Sequence, residues 1–279
     1  MTLSKAYKSL ILTVILMMMT IILYAFEVSK LGLKWGMIGF VITTILSIFT
    51  IILSIHETKH QRDVKTNHFI LKYRFEILDW FSFLAISMMI IFTIFMFFVL
   101  PSDVKHSSMM PTFKEGDRIL IYHFNYEPEI GDIVIVKITQ EAYPIVPLSM
   151  FYERDAFGNI LRIQDEIFFV KRIYAKSGDL VEFVNYNFQT ERYEIRINGV
   201  VVNAATGEPY YVYQNQKDIM EQSLENHILK ENLFFAFGDN ANGYLHYPAS
   251  YDSRSFGAIR SEDLVGKAIF KLWPFGGVS

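Results

Sequence analysis

A membrane anchor of three helices followed by a mainly antiparallel β domain is the architecture this sequence predicts, and three observations predict it. Apolar weight is high for a chain of 279 residues, with 52% hydrophobic residues, 25 Phe and 12 Met. That weight is concentrated in the first hundred residues as three uncharged apolar runs. Beyond residue 100 the pattern changes to short β-rich runs bounded by turn residues.

The apolar runs cover about residues 9–26, 35–55 and 80–100. Each approaches the roughly 20 residues a helix needs to cross the hydrocarbon core, so each reads as a transmembrane helix. Lys5 and Lys8 precede the first run, as they would in a cleavable signal peptide, but its exit IILYAFEV lacks small residues at the spacing cleavage requires. The first helix is therefore expected to stay. Basic residues set the orientation: Lys59, Arg62, Lys65, Lys72 and Arg74 crowd the loop between the second and third helices, against Lys30 and Lys34 after the first. That loop is expected in the cytoplasm, and an odd number of crossings then carries residues 101–279 to the outer face of the plasma membrane. A net charge of −3 gives no reason to expect nucleic acid as a partner. With no cysteine, disulfides and thiol catalysis are excluded, and the outer domain must be held together by burial, for which its length is ample.

Within residues 101–279 the strand-like runs are RILIY, DIVIVKI, EIFFVKRIYA, LVEFV, RYEIRI, VVVN, LFFAF and LVGKAIFKLW. Asn198-Gly199 between RYEIRI and VVVN predicts a two-residue hairpin, because both turn positions must tolerate positive φ. Residues 141–165 and 204–231 read as insertions on the sheets, the second partly helical. There is no internal repeat.

Chemistry is suggested by KHSSMMPTFKEGD, residues 105–117. A serine hydroxyl needs a neighbouring base before it can attack. His106, His123, His227 and His246 form no recognisable triad arrangement, and such triads cannot be read from spacing. The alternative is a lysine held neutral by desolvation, which must fall about two to three units from about 10.4, or about 3 to 4 kcal/mol. Lys171, directly after Ile167-Phe168-Phe169-Val170, fits that demand better than Lys176 beside the turn Ser177-Gly178-Asp179. Ser107 and Ser108 are equal candidates on these grounds.

The segment Ser108-Met109-Met110-Pro111-Thr112 with Gly116-Asp117 resembles the serine box of type I signal peptidases, the serine-lysine leader peptidase family. Three further stretches resemble its other boxes in order: Gly131 to Val136; Phe169-Val170-Lys171-Arg172 with Ser177-Gly178-Asp179; and Phe237-Gly238-Asp239-Asn240 with residues 250–257. The resemblance implies Ser108 as nucleophile and its backbone amide in the oxyanion hole, Lys171 as general base, Ser250 orienting the lysine, and Asp252, Arg254 and Asp239 supporting the site. It implies two antiparallel β lobes with a hydrophobic face on the bilayer, no metal and no organic cofactor. Signal-peptide-bearing precursors are the implied substrates, cut after small residues, and export machinery an implied associate. Met109, Ile133 and Val134 are the candidates for lining the substrate pocket. Two positions depart from the family: His106 stands where it has serine or glycine, and nine residues separate Asn240 from Ser250 where it has about three. That loop is expected to bulge at residues 243–247 while residues 250–254 keep their places.

Plainer readings exist for each residue. Ser108 could be a turn serine before Pro111, Lys171 a snorkelling strand-end lysine, and Asp252 with Arg254 a surface ion pair contributing little. Phe113, Trp273 and Phe275 could be core or could reach the lipid interface. His56-Glu57-Thr58-Lys59-His60 satisfies HExxH and makes a membrane zinc protease the rival enzyme, although the stretch falls in the basic loop. A non-catalytic membrane-anchored binding domain is a third reading, and a self-cleaving serine-lysine regulator a fourth.

Overall fold

The computed structural model of the chain describes residues 3–29, 34–59, 73–155, 157–241, 243 and 249–277. The chain divides into two compact units, Met1–Val99 and Leu100–Ser279.

The first unit holds helices α1 (Leu3–Ala25), α2 (Lys34–Lys59) and α3 (Arg74–Phe97). All three are long and apolar enough to cross a membrane. Their outward faces are apolar, while the polar side chains they bury are all Ser or Thr among the described residues. Thr13 and Ser47 hydroxyls meet at 2.8 Å and Thr20 and Thr93 at 3.2 Å, so α1 is bonded to both partners. Gly39 lets α2 approach α3, since a Cβ there would lie 2.5 Å from the Phe92 ring. Lys5–Asp79 and Arg74–Glu57, each at 3.1 Å, tie helix ends together. The third helix ends earlier than residue 100. Leu100 precedes Pro101, whose ring disfavours helical backbone before it, and Val99 to Asp103 form strand β1 instead.

The second unit is built on a seven-stranded sheet whose pairings from β2 to β14 are antiparallel. Its spatial order is β1, β2 (Arg118–Tyr122), β15 (Leu264–Trp273), β3 (Ile133–Thr139), β6 (Glu166–Lys176), β13 (Leu233–Phe237) and β14 (Ile259–Arg260). A smaller sheet holds β7 (Val181–Asn187), β8 (Arg192–Ile197), β9 (Val200–Val201) and β10 (Tyr211–Val212). Asn198 and Gly199 turn β8 into β9 with φ of 51° and 82°. The first insertion carries the hairpin β4 (Tyr152–Arg154) and β5 (Ile160–Ile163). The second carries α4 (Gln214–Glu221) and a short hairpin of β11 (Leu224–Glu225) with β12 (Ile228–Leu229).

Strand β13 serves two cores because alternate side chains face opposite ways. Phe234 and Ala236 join Val134, Val136, Ile173 and Leu264, whereas Phe235 and Phe237 join Val181, Ile195, Tyr210 and Met220. Phe113 is buried, while Trp273 and Phe275 are exposed.

Candidate active site

The site forms where the β1–β2 connection meets the middle of β6 and the end of β13, so Lys171 stands mid-strand rather than at the strand end the sequence suggested. The connection is a tight turn: Met110 N–H donates to Ser107 O at 3.1 Å and Phe113 N–H to Met109 O at 2.9 Å. It brings Ser108, partly exposed, over β6. On β6, Lys171 pairs in register with Val134 of β3 and shares a face with Phe169 and Ile173. That face belongs to the core, so the lysine is only 2% exposed. Its Nζ lies 3.0 Å from Ser108 Oγ and 5.2 Å from the centre of the Phe169 ring.

Burial lowers the Lys171 pKa to about 8, with Arg254 pushing the same way and Asp252 and Asp239 pulling it back up. Desolvation prevails because both nearby carboxylates are already paired with arginines. Asp252 is fully buried and takes Arg254 Nε on Oδ1 and Arg254 Nη2 on Oδ2, both at 2.9 Å, with Gly238 N–H on Oδ2 at 3.0 Å. Burial pushes its carboxyl pKa up, but the Arg254 charge and these bonds outweigh burial and hold it below the ordinary value. The pair expected at the surface is therefore an interior one, and the guanidinium also lies 5.1 Å from the Tyr210 ring centre. Asp239 takes Arg172 Nε at 2.9 Å and Nη2 at 2.8 Å, and the Thr112 hydroxyl donates to the same carboxylate. Asp239 thus bonds the turn that carries Ser108 to the strand that carries Lys171.

Gly238 continues β13 under the serine. A Cβ there would lie 2.4 Å from Ser108 O and 2.1 Å from Ser250 Oγ, so only glycine permits this approach. Next along, Asn240 N–H donates to Ser108 O at 3.1 Å and Asn240 Nδ2 to Ser107 O at 3.2 Å.

Ser108, Lys171, Asp239, Asp252 and Arg254 are therefore gathered in one place. Ser250 is next to them, with its N–H donating to Asn240 O at 2.9 Å, but among the described residues its buried hydroxyl makes no hydrogen bond, to Lys171 or otherwise. Met109, Ile133 and Val134 are buried, at 1%, 3% and 0% exposure, and expose almost no surface to a substrate. His106 is exposed and holds a left-handed φ of 67°, a backbone conformation that suits glycine. Lys176 is exposed. Of the bulge expected at residues 243–247, residues 244–247, including His246, lie outside the described residues. Thr112, Arg172, Gly238 and Asn240 carried no role in the sequence reading, since their partners are distant in the chain; motif membership was the one signal marking them.

In the rival HExxH stretch, residues 56–59 lie in the last turn of α2 and Glu57 is engaged by Arg74, while His60 lies outside the described residues. No group of three or more His, Asp or Glu side chains is placed to share a metal among the described residues.

A β-rich domain with a serine and a buried lysine at hydrogen-bond distance, on a chain with three candidate spans, defines a membrane-associated peptidase. Comparison with known proteins agrees: the family described as "Signal peptidase, peptidase S26" matches residues 77–273. The chain belongs to that family. It is similar to signal peptidase IB of Staphylococcus aureus, 26% identical over 216 residues that cover 72% of this chain and 91% of the relative. It is also similar to thylakoidal processing peptidase 1 of Arabidopsis thaliana, 28% identical over 182 residues covering 64% of this chain and 43% of that protein.

Proposed function

We propose that this membrane signal peptidase removes signal peptides from exported precursors through a dyad of Ser108 and Lys171. The observation that carries the reading is the 3.0 Å separation of Nζ and Oγ on a lysine whose pKa burial lowers to about 8. At that value a sizeable fraction is neutral near physiological pH, and a neutral amine can accept a proton.

In acylation, Lys171 Nζ takes the Ser108 proton as Oγ bonds to the scissile carbonyl carbon. The carbonyl π electrons move onto oxygen, which the Ser108 backbone N–H stabilises. On collapse the C–N bond breaks and the ammonium of Lys171 returns its proton to the leaving amine. Water then repeats the sequence on the ester, again with Lys171 as base. Asp252, Arg254 and Asp239 act as supports: their pairing leaves little net charge beside the amine. Ser250 enters as a hydroxyl that orients Lys171 during turnover, and Ser250→Ala is expected to lower kcat less than Lys171→Ala does. Met109, Ile133 and Val134 are buried and act on a pocket for small side chains only from behind its lining.

The catalytic unit lies on the outer face of the plasma membrane in this reading, supported by the basic excess in the loop between α2 and α3. Protease accessibility of residues 101–279 in spheroplasts tests it. Work beside export machinery is part of the same proposal, because the substrates are exported precursors; failure to cross-link to the translocation channel would count against it.

The deciding experiment is cleavage of a signal-peptide-bearing precursor by detergent-solubilised protein, beside Ser108→Ala, Lys171→Ala and an excess of chelator. Chelator-resistant cleavage after a small residue, lost in both variants, is expected. Cleavage lost with chelator but kept in both variants would return the reading to HETKH, and no cleavage by any form would favour a binding role.

A further inference from the structure

Asn240 addresses both peptide planes that flank the nucleophile. Its side-chain Nδ2 donates to Ser107 O at 3.2 Å, and its own backbone N–H donates to Ser108 O at 3.1 Å. The first of these oxygens belongs to the peptide unit whose other end is the Ser108 N–H. In a planar trans peptide the C=O and N–H point in opposite directions, so fixing one fixes the other. Met110 N–H also donates to Ser107 O, at 3.1 Å, so both acceptor positions of that carbonyl are filled from the protein side. The Ser108 N–H is donated to no backbone carbonyl among the described residues.

The residue making these bonds is itself fixed. Asn240 is 1% exposed, follows the close approach at Gly238, and accepts Ser250 N–H on its carbonyl at 2.9 Å. The amide group suits the position chemically, because the Ser107 carbonyl demands a donor and the surroundings are already charged. Aspartate at this position would set a carboxylate oxygen against a carbonyl oxygen. A carbonyl that accepts two hydrogen bonds is also polarised, which strengthens the donor at the other end of the same peptide.

We infer that Asn240 is a positioning residue for the oxyanion hole: it sets the direction of the Ser107–Ser108 peptide so that the Ser108 N–H points where the tetrahedral intermediate develops its charge. The inference rests on the reading of Ser108 as nucleophile. It gives the sequence Asp239-Asn240 a division of labour, with the aspartate bonding the serine turn to the strand of the base and the asparagine aiming the donor. It also accounts for an oxyanion hole in a chain with His106 at the position two before the serine, because the aim of the backbone donor comes from the opposite side of the turn.

The test uses the full-length detergent-solubilised protein as wild type, Asn240→Ala, Asn240→Asp and Ser108→Ala, each checked for an unchanged unfolding temperature. Two probes separate the charge-stabilising role from plain binding: a substrate-like peptide aldehyde, which forms a tetrahedral adduct, and a reduced-amide isostere of the same peptide, which has no carbonyl. Asn240→Ala is expected to lose about 10- to 100-fold in kcat, smaller than the loss on deleting an oxyanion donor outright. Its aldehyde affinity should fall in parallel, while its isostere affinity, its KM and the pH midpoint of kcat/KM stay at wild-type values. Asn240→Asp should lose at least as much. If Ser108→Ala is inert but Asn240→Ala keeps wild-type kcat and aldehyde affinity, the inference fails while the dyad stands. Equal loss of aldehyde and isostere binding also overturns it, since the effect is then on the pocket. Cleavage by Ser108→Ala sinks dyad and inference together. Should neither Asn240 variant fold, a structure of the wild-type aldehyde adduct decides. The oxyanion must sit on Ser108 N–H with the Asn240–Ser107 bond intact, and an adduct with that bond broken or the oxyanion elsewhere overturns the proposal.

Discussion

The helical unit and the β unit bury polar groups of different kinds. Inside the helices the buried polar side chains are hydroxyls, such as Thr13, Ser47 and Thr93, while the helices' ion pairs, Lys5–Asp79 and Arg74–Glu57, are confined to helix ends. Inside the β unit Lys171, Asp239, Asp252 and Arg254 are each at most 4% exposed and lie together. A helical hydroxyl can fall back on its own helix, as Thr13 does on Ser9 O at 2.8 Å and Thr93 on Met89 O at 2.9 Å. The buried Asp239, Asp252 and Arg254 have no such fallback, so each needs one particular partner, and loss of that partner is costly. The buried hydroxyls are packing; the buried charges serve the reaction at some cost in stability.

The comparison is tested most severely at the dyad. Ser108→Ala and Lys171→Ala should each lower kcat at least about 10⁴-fold with folding intact, and Lys171→Arg should fail as well because a guanidinium keeps its proton. Precursor cleavage beside circular dichroism reads both quantities. Next in size, Arg254→Met strands the Asp252 carboxylate, and should cost about 3 to 5 kcal/mol in denaturant unfolding. Removing Lys5 at a helix end should cost under about 1 kcal/mol.

Lys171 makes a further test, with a sign that distinguishes function from stability. Its folded pKa of about 8 lies below its ordinary 10.5, so between those values the unfolded chain binds the proton that the folded chain has lost. Stability therefore rises with pH across that window, and below about pH 8 the folded protein bears the full penalty, about 3 kcal/mol. Lys171→Met should be the more stable protein at pH 7 and wholly inactive. In the wild type kcat/KM should climb with pH and level off above about 8, as the neutral amine becomes the main form. The smallest effect belongs to the helices: Ser47→Ala should change unfolding in detergent by about 0.6 kcal/mol.

Much of this arrangement is legible in the sequence. Periodicity and charge marked the three helices and the strands, and motif order marked Ser108 and Lys171, because both signals are local. Burial is another matter. A two-residue spacing such as Asp252 to Arg254 reads as a surface pair until the strands that cover it are in place. The roles of Asn240 and Thr112 depend on oxygen atoms more than a hundred residues away, and no local pattern records such a meeting. Ser250 is the converse case: its motif position was legible, yet its hydroxyl does not make the bond expected of it.

The 2.9 Å bond from Ser250 N–H to Asn240 O spans a segment of nine intervening residues. Both flanks of that segment are anchored: on one side Asn240 bonds the serine turn and Ala241 O accepts Arg254 Nη1 at 3.1 Å, and on the other Asp252 is held by Gly238 N–H at 3.0 Å and by Arg254. What lies between is then thermodynamically cheap to lengthen, since tripling a closed loop from three to nine residues costs only about 1 kcal/mol. The chain has in effect an expansion joint beside its most constrained chemistry, a place where an epitope or fluorophore could be spliced in while the dyad keeps its 3.0 Å spacing.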